Sequence, residues 1–86
     1  MHPLVTALTV LPPYRLALSF DDGSSGVVDC RPWLYGRDDG VFASLRDPAA
    51  FAKVFLNREF GTIEWPNGAD VDPDTLYEEA HRSAVG

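Results

Sequence analysis

Between Tyr14 and Phe20, every second residue is large and apolar. This period of two is typical of a strand with one buried face. A turn cluster, Asp-Asp-Gly-Ser-Ser, follows at residues 21–25, and its glycine can adopt the positive φ of a tight reversal. Residues 27–30 then return to β-type side chains, so residues 14–30 are predicted to form a β-hairpin.

The rest of the chain adds strands and short helices around this hairpin. Asp47-Pro48 and Asp72-Pro73 each place a capping carboxylate before a proline, which is a helix-start signal. The other predicted elements are a strand at 5–10, a helical turn at 31–36, a polar loop at 37–40, a helix at 48–53, and a second hairpin from strands 54–57 and 62–65. The order βββ-α-ββ-α predicts an α+β fold, with a small antiparallel sheet packed against a short middle helix and a C-terminal helix. We expect residues 1–86 to form one domain.

Size and charge exclude several classes of protein. The chain has 86 residues and one cysteine, which is too few for a disulfide scaffold. Seven basic residues against 13 acidic ones give a net charge of −6, which disfavours direct binding to nucleic acid. The sequence shows neither a membrane span nor an export signal, so we expect a cytoplasmic protein without membrane contact.

Catalytic and metal-binding patterns are incomplete. Residues 70–74 alternate carboxylates as a calcium loop does, but Thr75 and His81 stand where that loop needs glycine and glutamate. Two histidines and one cysteine cannot supply four zinc ligands, and no serine lies in a nucleophile elbow. Cys30 ends a strand and is predicted to be a buried, inert thiol. We therefore expect no catalytic residue, metal or cofactor. The competing hypothesis is a small enzyme or ligand-binding protein that uses Cys30 or the loop at 65–70.

Aromatic residues beside turns are the remaining candidates for function. Trp and Tyr are enriched at binding hot spots, and they also close the cores of small domains. The sequence leaves both interpretations open. The candidate interaction surface consists of Trp33, Tyr35, Trp65, Asn67 and Asp70.

Three segments, at 18–34, 42–51 and 61–77, resemble the bacterial domain-of-unknown-function family 2442. The most specific motif is Trp-Pro-Asn-Gly-Ala-Asp at 65–70, followed by Asp-Pro-x-x-Leu-Tyr at 72–77. The resemblance implies a small α+β domain and transfers no catalytic residue. Some relatives carry a helix-turn-helix domain after this one, and others are encoded beside a small protein in pairs like toxin–antitoxin modules. The sequence ends at Gly86 without such a domain, so we expect no direct DNA binding.

These observations predict a non-catalytic interaction module that binds a small protein encoded nearby. An acidic domain suits a basic partner, because opposite charge accelerates encounter. The alternative is a regulatory domain that works with a separate DNA-binding module. A homodimer is compatible with either hypothesis.

Overall fold

The first sheet is built from the predicted opening strands. The computed structural model describes residues 3–35 and 40–85. Its first three strands are β1 (Val5–Leu11), β2 (Arg15–Phe20) and β3 (Ser25–Asp29), which form an antiparallel sheet in the order β1-β2-β3. Gly23 has a φ of +88° in the β2–β3 turn, as the turn cluster predicted. The predicted hairpin is therefore confirmed.

Short helical segments connect the first sheet to the second. They are α1 (Arg31–Tyr35), α2 (Gly40–Ala43), a 3-10 turn (Ser44–Arg46) and α3 (Pro48–Phe51). Asp47 accepts a hydrogen bond from the backbone N–H of Ala49 and caps α3, as its Asp-Pro signal predicted. The polar-loop prediction at 37–40 was wrong at Gly40, which begins α2, and residues 37–39 lie outside the described residues.

The helix that Asp47 caps is shorter than predicted. We expected it to extend to Lys53, but α3 ends at Phe51. The N–H groups of Lys53 and Val54 bond to carbonyls three residues earlier, which tightens the last turn. Val54 is buried, so the chain turns inward at this point and leads directly into the next strand.

The second sheet contains one strand more than the sequence predicted. Its strands are β4 (Phe55–Asn57), β5 (Thr62–Glu64) and β6 (Asp70–Val71), which are antiparallel in the order β4-β5-β6. The turn at 66–68 leads from β5 to β6, and the Thr62 hydroxyl donates a hydrogen bond to the Val71 carbonyl. Two residues are too few to show a period of two, so β6 had no signal of its own.

The last helix, α4 (Pro73–Val85), packs against β3 of the first sheet. Asp72 caps it by accepting hydrogen bonds from the Thr75 backbone N–H at 3.3 Å and the Thr75 hydroxyl at 2.8 Å. A Cβ on Gly26 would lie 2.9 Å from the Ala80 carbonyl carbon, so only glycine allows strand and helix to approach this closely. The α+β prediction is thus confirmed, with two three-stranded sheets and several helices.

One hydrophobic core joins the two sheets, α4 and the helical connection. The largest fully buried side chains are Trp65, Phe51, Leu16, Leu18, Leu34, Ile63, Leu76, Val28 and Cys30. Leu76 and Ala80 bury the α4 stripe that the helical spacing predicted, and Glu78 remains exposed. The core therefore contains residues from every part of the described chain.

Candidate interaction site

The five residues of the candidate interaction surface lie in four different environments. Trp65 is 1% exposed and belongs to the core. Its indole N–H donates a 2.9 Å hydrogen bond to the Phe51 carbonyl, and its ring packs edge-on against Phe42 with centroids 6.3 Å apart. The Trp65 side chain therefore lies below the surface, because Phe42 of α2 and Phe51 of α3 pack against its ring.

Asn67 and Tyr35 are on the surface but point to separate places. The Asn67 amide donates a 2.8 Å hydrogen bond to the Ser44 hydroxyl, and its oxygen accepts one from the Ala69 N–H. These bonds fix the 66–68 turn against the 3-10 turn. Tyr35 is 56% exposed, and its ring lies 5.0 Å from the Arg46 guanidinium carbon.

Trp33 and Asp70 do come together, in a cleft of about 300 Å³. Trp33 belongs to α1, and Asp70 belongs to β6, which comes much later in the sequence. We call this feature the Trp33 cleft, and its lining residues are Trp33, Phe42, Asp70, Val71, Asp72 and Thr75. The lining therefore combines aromatic side chains from α1 and α2 with acidic and hydroxyl side chains from β6 and the start of α4.

The two carboxylates of the Trp33 cleft have different structural roles. Asp72 caps α4 and bonds to Thr75. Asp70 is exposed, and among the described residues its carboxylate has no hydrogen-bond or ion-pair partner. Trp33 is half-buried, and no described residue accepts a hydrogen bond from its indole N–H. Because every buried side-chain nitrogen or oxygen in the described part has a partner, this N–H reaches solvent.

The one cysteine of the sequence lies in the hydrophobic core. Cys30 has no exposed surface, which confirms its predicted burial, and burial raises the pKa of its thiol, as does the nearby Asp29 carboxylate. Residues 3–35 and 40–85 contain no group of three His, Cys, Asp or Glu side chains arranged around a metal site. None of the described helices has the length and hydropathy of a membrane-crossing helix.

A second carboxylate network joins the β2–β3 turn to α4. Asp22 accepts hydrogen bonds from the Ser24 hydroxyl at 2.6 Å and from the Tyr77 hydroxyl at 2.7 Å. The Ser24 hydroxyl and backbone N–H, with the Tyr77 hydroxyl, lower the pKa of Asp22 to about 2. Tyr77 also stacks on His81, with ring centroids 4.0 Å apart. These bonds tie the β2–β3 turn to α4.

The sequence missed four residues of the cleft: Phe42, Val71, Asp72 and Thr75. Asp72 was recognised only as a helix cap. Phe42 lies in α2, two residues after the end of the predicted loop, and Val71 lies in the unpredicted strand β6. The only local signal was the alternation of carboxylates at 70–74, which the cap and turn already explained.

Comparison with known proteins identifies the family of this chain. The model of a family described as a protein of unknown function, DUF2442, matches residues 5–82. The chain belongs to the DUF2442 family. This confirms the resemblance carried by the motifs at 65–77. A comparison with curated proteins gives no significant match.

A solved structure is similar to this DUF2442 chain over almost its whole length. It is the crystal structure of a candidate DNA-binding protein from Nitrosomonas europaea, with a TM-score of 0.80 and 32% sequence identity. The match covers 96% of this chain and 52% of the Nitrosomonas europaea chain. The DUF2442 chain therefore spans about half the length of that protein.

Proposed function

We propose that this DUF2442 chain is a non-catalytic interaction module that binds a small partner protein through the Trp33 cleft. The observation that carries the proposal is the meeting of Trp33 and Asp70 in one cleft. A tryptophan that is half-buried in the monomer can lose its remaining exposed surface to a partner, and such residues are frequent hot spots. Asp70 stands beside it without a partner among the described residues.

The net charge indicates which kind of partner this would be. At −6, the chain repels acidic proteins and attracts basic ones, which raises the rate of encounter. The proposed partner is a small basic protein encoded next to the gene in a bacterium, in a pair like a toxin–antitoxin module. Both would act in the cytoplasm, with neither a cofactor nor direct contact with nucleic acid.

Co-expression with the protein encoded by the neighbouring reading frame tests this proposal. We expect the two to co-purify, and Trp33→Ala to weaken the complex by about 2 kcal/mol or more, as hot-spot residues do. Phe60→Ala is the matched control, because Phe60 is 64% exposed and does not line the cleft. Melting curves of each variant establish that it is folded. Equal affinity for wild type, Trp33→Ala and Asp70→Asn would contradict the proposal.

A second function is favoured by the Nitrosomonas europaea structure. That candidate DNA-binding protein has about twice the length of this chain, and the match covers 52% of it. On this alternative, the present domain regulates a separate DNA-binding module. The acidic charge argues that DNA contacts would come from that module.

A mobility-shift assay on DNA upstream of the gene separates the two functions. We expect no shift with this chain alone. If the alternative holds, adding this chain changes the mobility shift that a separately encoded DNA-binding protein produces. If the interaction module is correct, the chain binds its partner whether or not DNA is present. A strong shift with the chain alone would contradict both.

A further inference from the structure

We propose that the Trp33 cleft accepts an arginine side chain of the partner, with the guanidinium stacked on Trp33 and paired with Asp70. This rests on the proposed function and specifies the chemical group that the cleft recognises. The volume of about 300 Å³ is at the lower end of the range for ligand sites, about 300–1,000 Å³. The cleft is therefore suited to one side chain rather than to a large cofactor.

The aromatic lining residues favour a planar cation. Trp33 and Phe42 are the aromatic residues of the cleft lining. Tryptophan has the strongest cation–π attraction of the aromatic side chains, and the guanidinium of arginine stacks on aromatic faces more readily than an ammonium does. The same chain shows this geometry elsewhere, since the Arg46 guanidinium lies over the Tyr35 ring at 5.0 Å.

The acidic lining residues supply the negative charge. The Asp70 and Asp72 carboxylates both line the cleft, and Asp70 has no hydrogen-bond or ion-pair partner among the described residues. A carboxylate can accept two parallel N–H bonds from a guanidinium, which lysine cannot provide. Asp70 is thus placed to make the specific contact, and Asp72 adds to the potential.

The N-terminus of α4 favours an anion rather than a cation, so its effect must be compared with that of the carboxylates. A helix N-terminus is equivalent to about half a positive charge, which would favour an anion. Asp72 already caps this N-terminus through its bonds to Thr75, and Asp70 places a second acidic side chain in the lining. Among the described lining residues two side chains are acidic and none is basic, so we infer a cation rather than a phosphate as the ligand.

Nuclear magnetic resonance of the two indole N–H groups tests the inference directly. The probes are a capped Gly-Arg-Gly peptide, its Gly-citrulline-Gly and Gly-Lys-Gly counterparts, and inorganic phosphate. Citrulline retains the shape of arginine but is neutral. We expect the arginine peptide to shift the Trp33 resonance in a saturable way and leave the Trp65 resonance unchanged. The Trp65 resonance is an internal control, because its N–H is buried and bonded to Phe51.

Two variants that each remove one negative charge test whether Asp70 makes the contact with arginine. Asp70→Asn should weaken arginine binding about ten-fold, the loss expected for a hydrogen bond to a charged group. Glu78→Gln removes the same charge from an exposed position on α4 that does not line the cleft, and it should have little effect. Equal responses to arginine and citrulline, or to arginine and lysine, would overturn the inference. So would equal loss in Asp70→Asn and Glu78→Gln, or a Trp33 shift with phosphate alone.

The two proposals fail in different ways. If Trp33→Ala abolishes co-purification while the arginine peptide leaves the Trp33 resonance unmoved, the interaction module stands and the arginine inference is wrong. If the peptide binds in the expected way while Trp33→Ala still co-purifies fully with the neighbouring protein, the arginine site stands and its role in that complex is wrong.

Discussion

The two tryptophans of this chain have similar sequence surroundings and different structural roles. Each follows a strand or strand end and stands near a turn, at positions 33 and 65. Trp65 is 1% exposed and bonds through its indole N–H to Phe51. Trp33 is half-buried, and its N–H has no acceptor among the described residues. One ring closes the core and the other lines a cleft.

This difference shows that the neighbouring turn does not decide whether an aromatic side chain is available for binding. What decides is the number of elements that cover it. Trp65 is packed against Phe42 and Phe51 of α2 and α3. Trp33 lies on α1, where the space between the helical connection and the start of α4 stays open as the cleft.

The largest effect should come from removing the covered ring. Trp65→Ala deletes a fully buried indole and leaves a cavity, which should lower the free energy of unfolding by about 3–5 kcal/mol. Trp33→Ala should cost clearly less, because part of that ring already contacts water. Urea unfolding of the two variants measures the difference. Equal losses would mean that both rings belong to the core.

The second-largest effect on stability should distinguish the buried side of α4 from its exposed side. Leu76→Ala should lower the free energy of unfolding by about 2–4 kcal/mol, because its side chain is fully buried. Glu78→Ala, two residues later and exposed, is the matched control and should have little effect. A near-zero shift in the urea midpoint of Leu76→Ala would show that α4 is not anchored as described.

A smaller effect distinguishes the two carboxylates of the cleft. Asp72→Ala should cost about 1 kcal/mol, because it removes the cap of α4. Asp70→Ala should leave the stability nearly unchanged, since no described residue bonds to its carboxylate. Thermal melts of both variants test this pair. A greater loss in Asp70→Ala would reverse the roles that we assign.

The sequence predicted the features that depend on neighbouring residues. The alternation at 14–20 and the Asp-Pro signals located the first hairpin and the starts of two helices, because strand faces and caps are set by residues a few positions apart. It did not predict β6 or α2, which are too short to show a period. Nor did it place Trp65 in the core or assemble the cleft. Trp33 and Asp70 are separated by 36 intervening positions in the sequence, and their meeting depends on how α1 lies relative to the second sheet.

The smallest effect concerns Asp22, whose carboxylate, unlike that of Asp70, accepts hydrogen bonds from other side chains. The bonds from Ser24 and Tyr77 lower the pKa of Asp22 to about 2, against an unfolded value near 4. A lowered pKa means that this carboxylate stabilises the fold above about pH 4, and that the contribution is lost as the pH falls toward 2. Asp22→Asn should therefore reduce the loss of stability over that range, as measured by urea midpoints from pH 5 to pH 2. Identical pH profiles for the variant and the wild type would contradict the network.

Hydrogen–deuterium exchange of the two indole N–H groups, followed in one sample, tests the central contrast most directly. The Trp65 N–H should exchange slowly, because it is buried and bonded to the Phe51 carbonyl. The Trp33 N–H should exchange much faster, since it reaches solvent and has no acceptor among the described residues. Comparable protection of both groups would contradict the account, because Trp33 would then be as closed to a partner as Trp65.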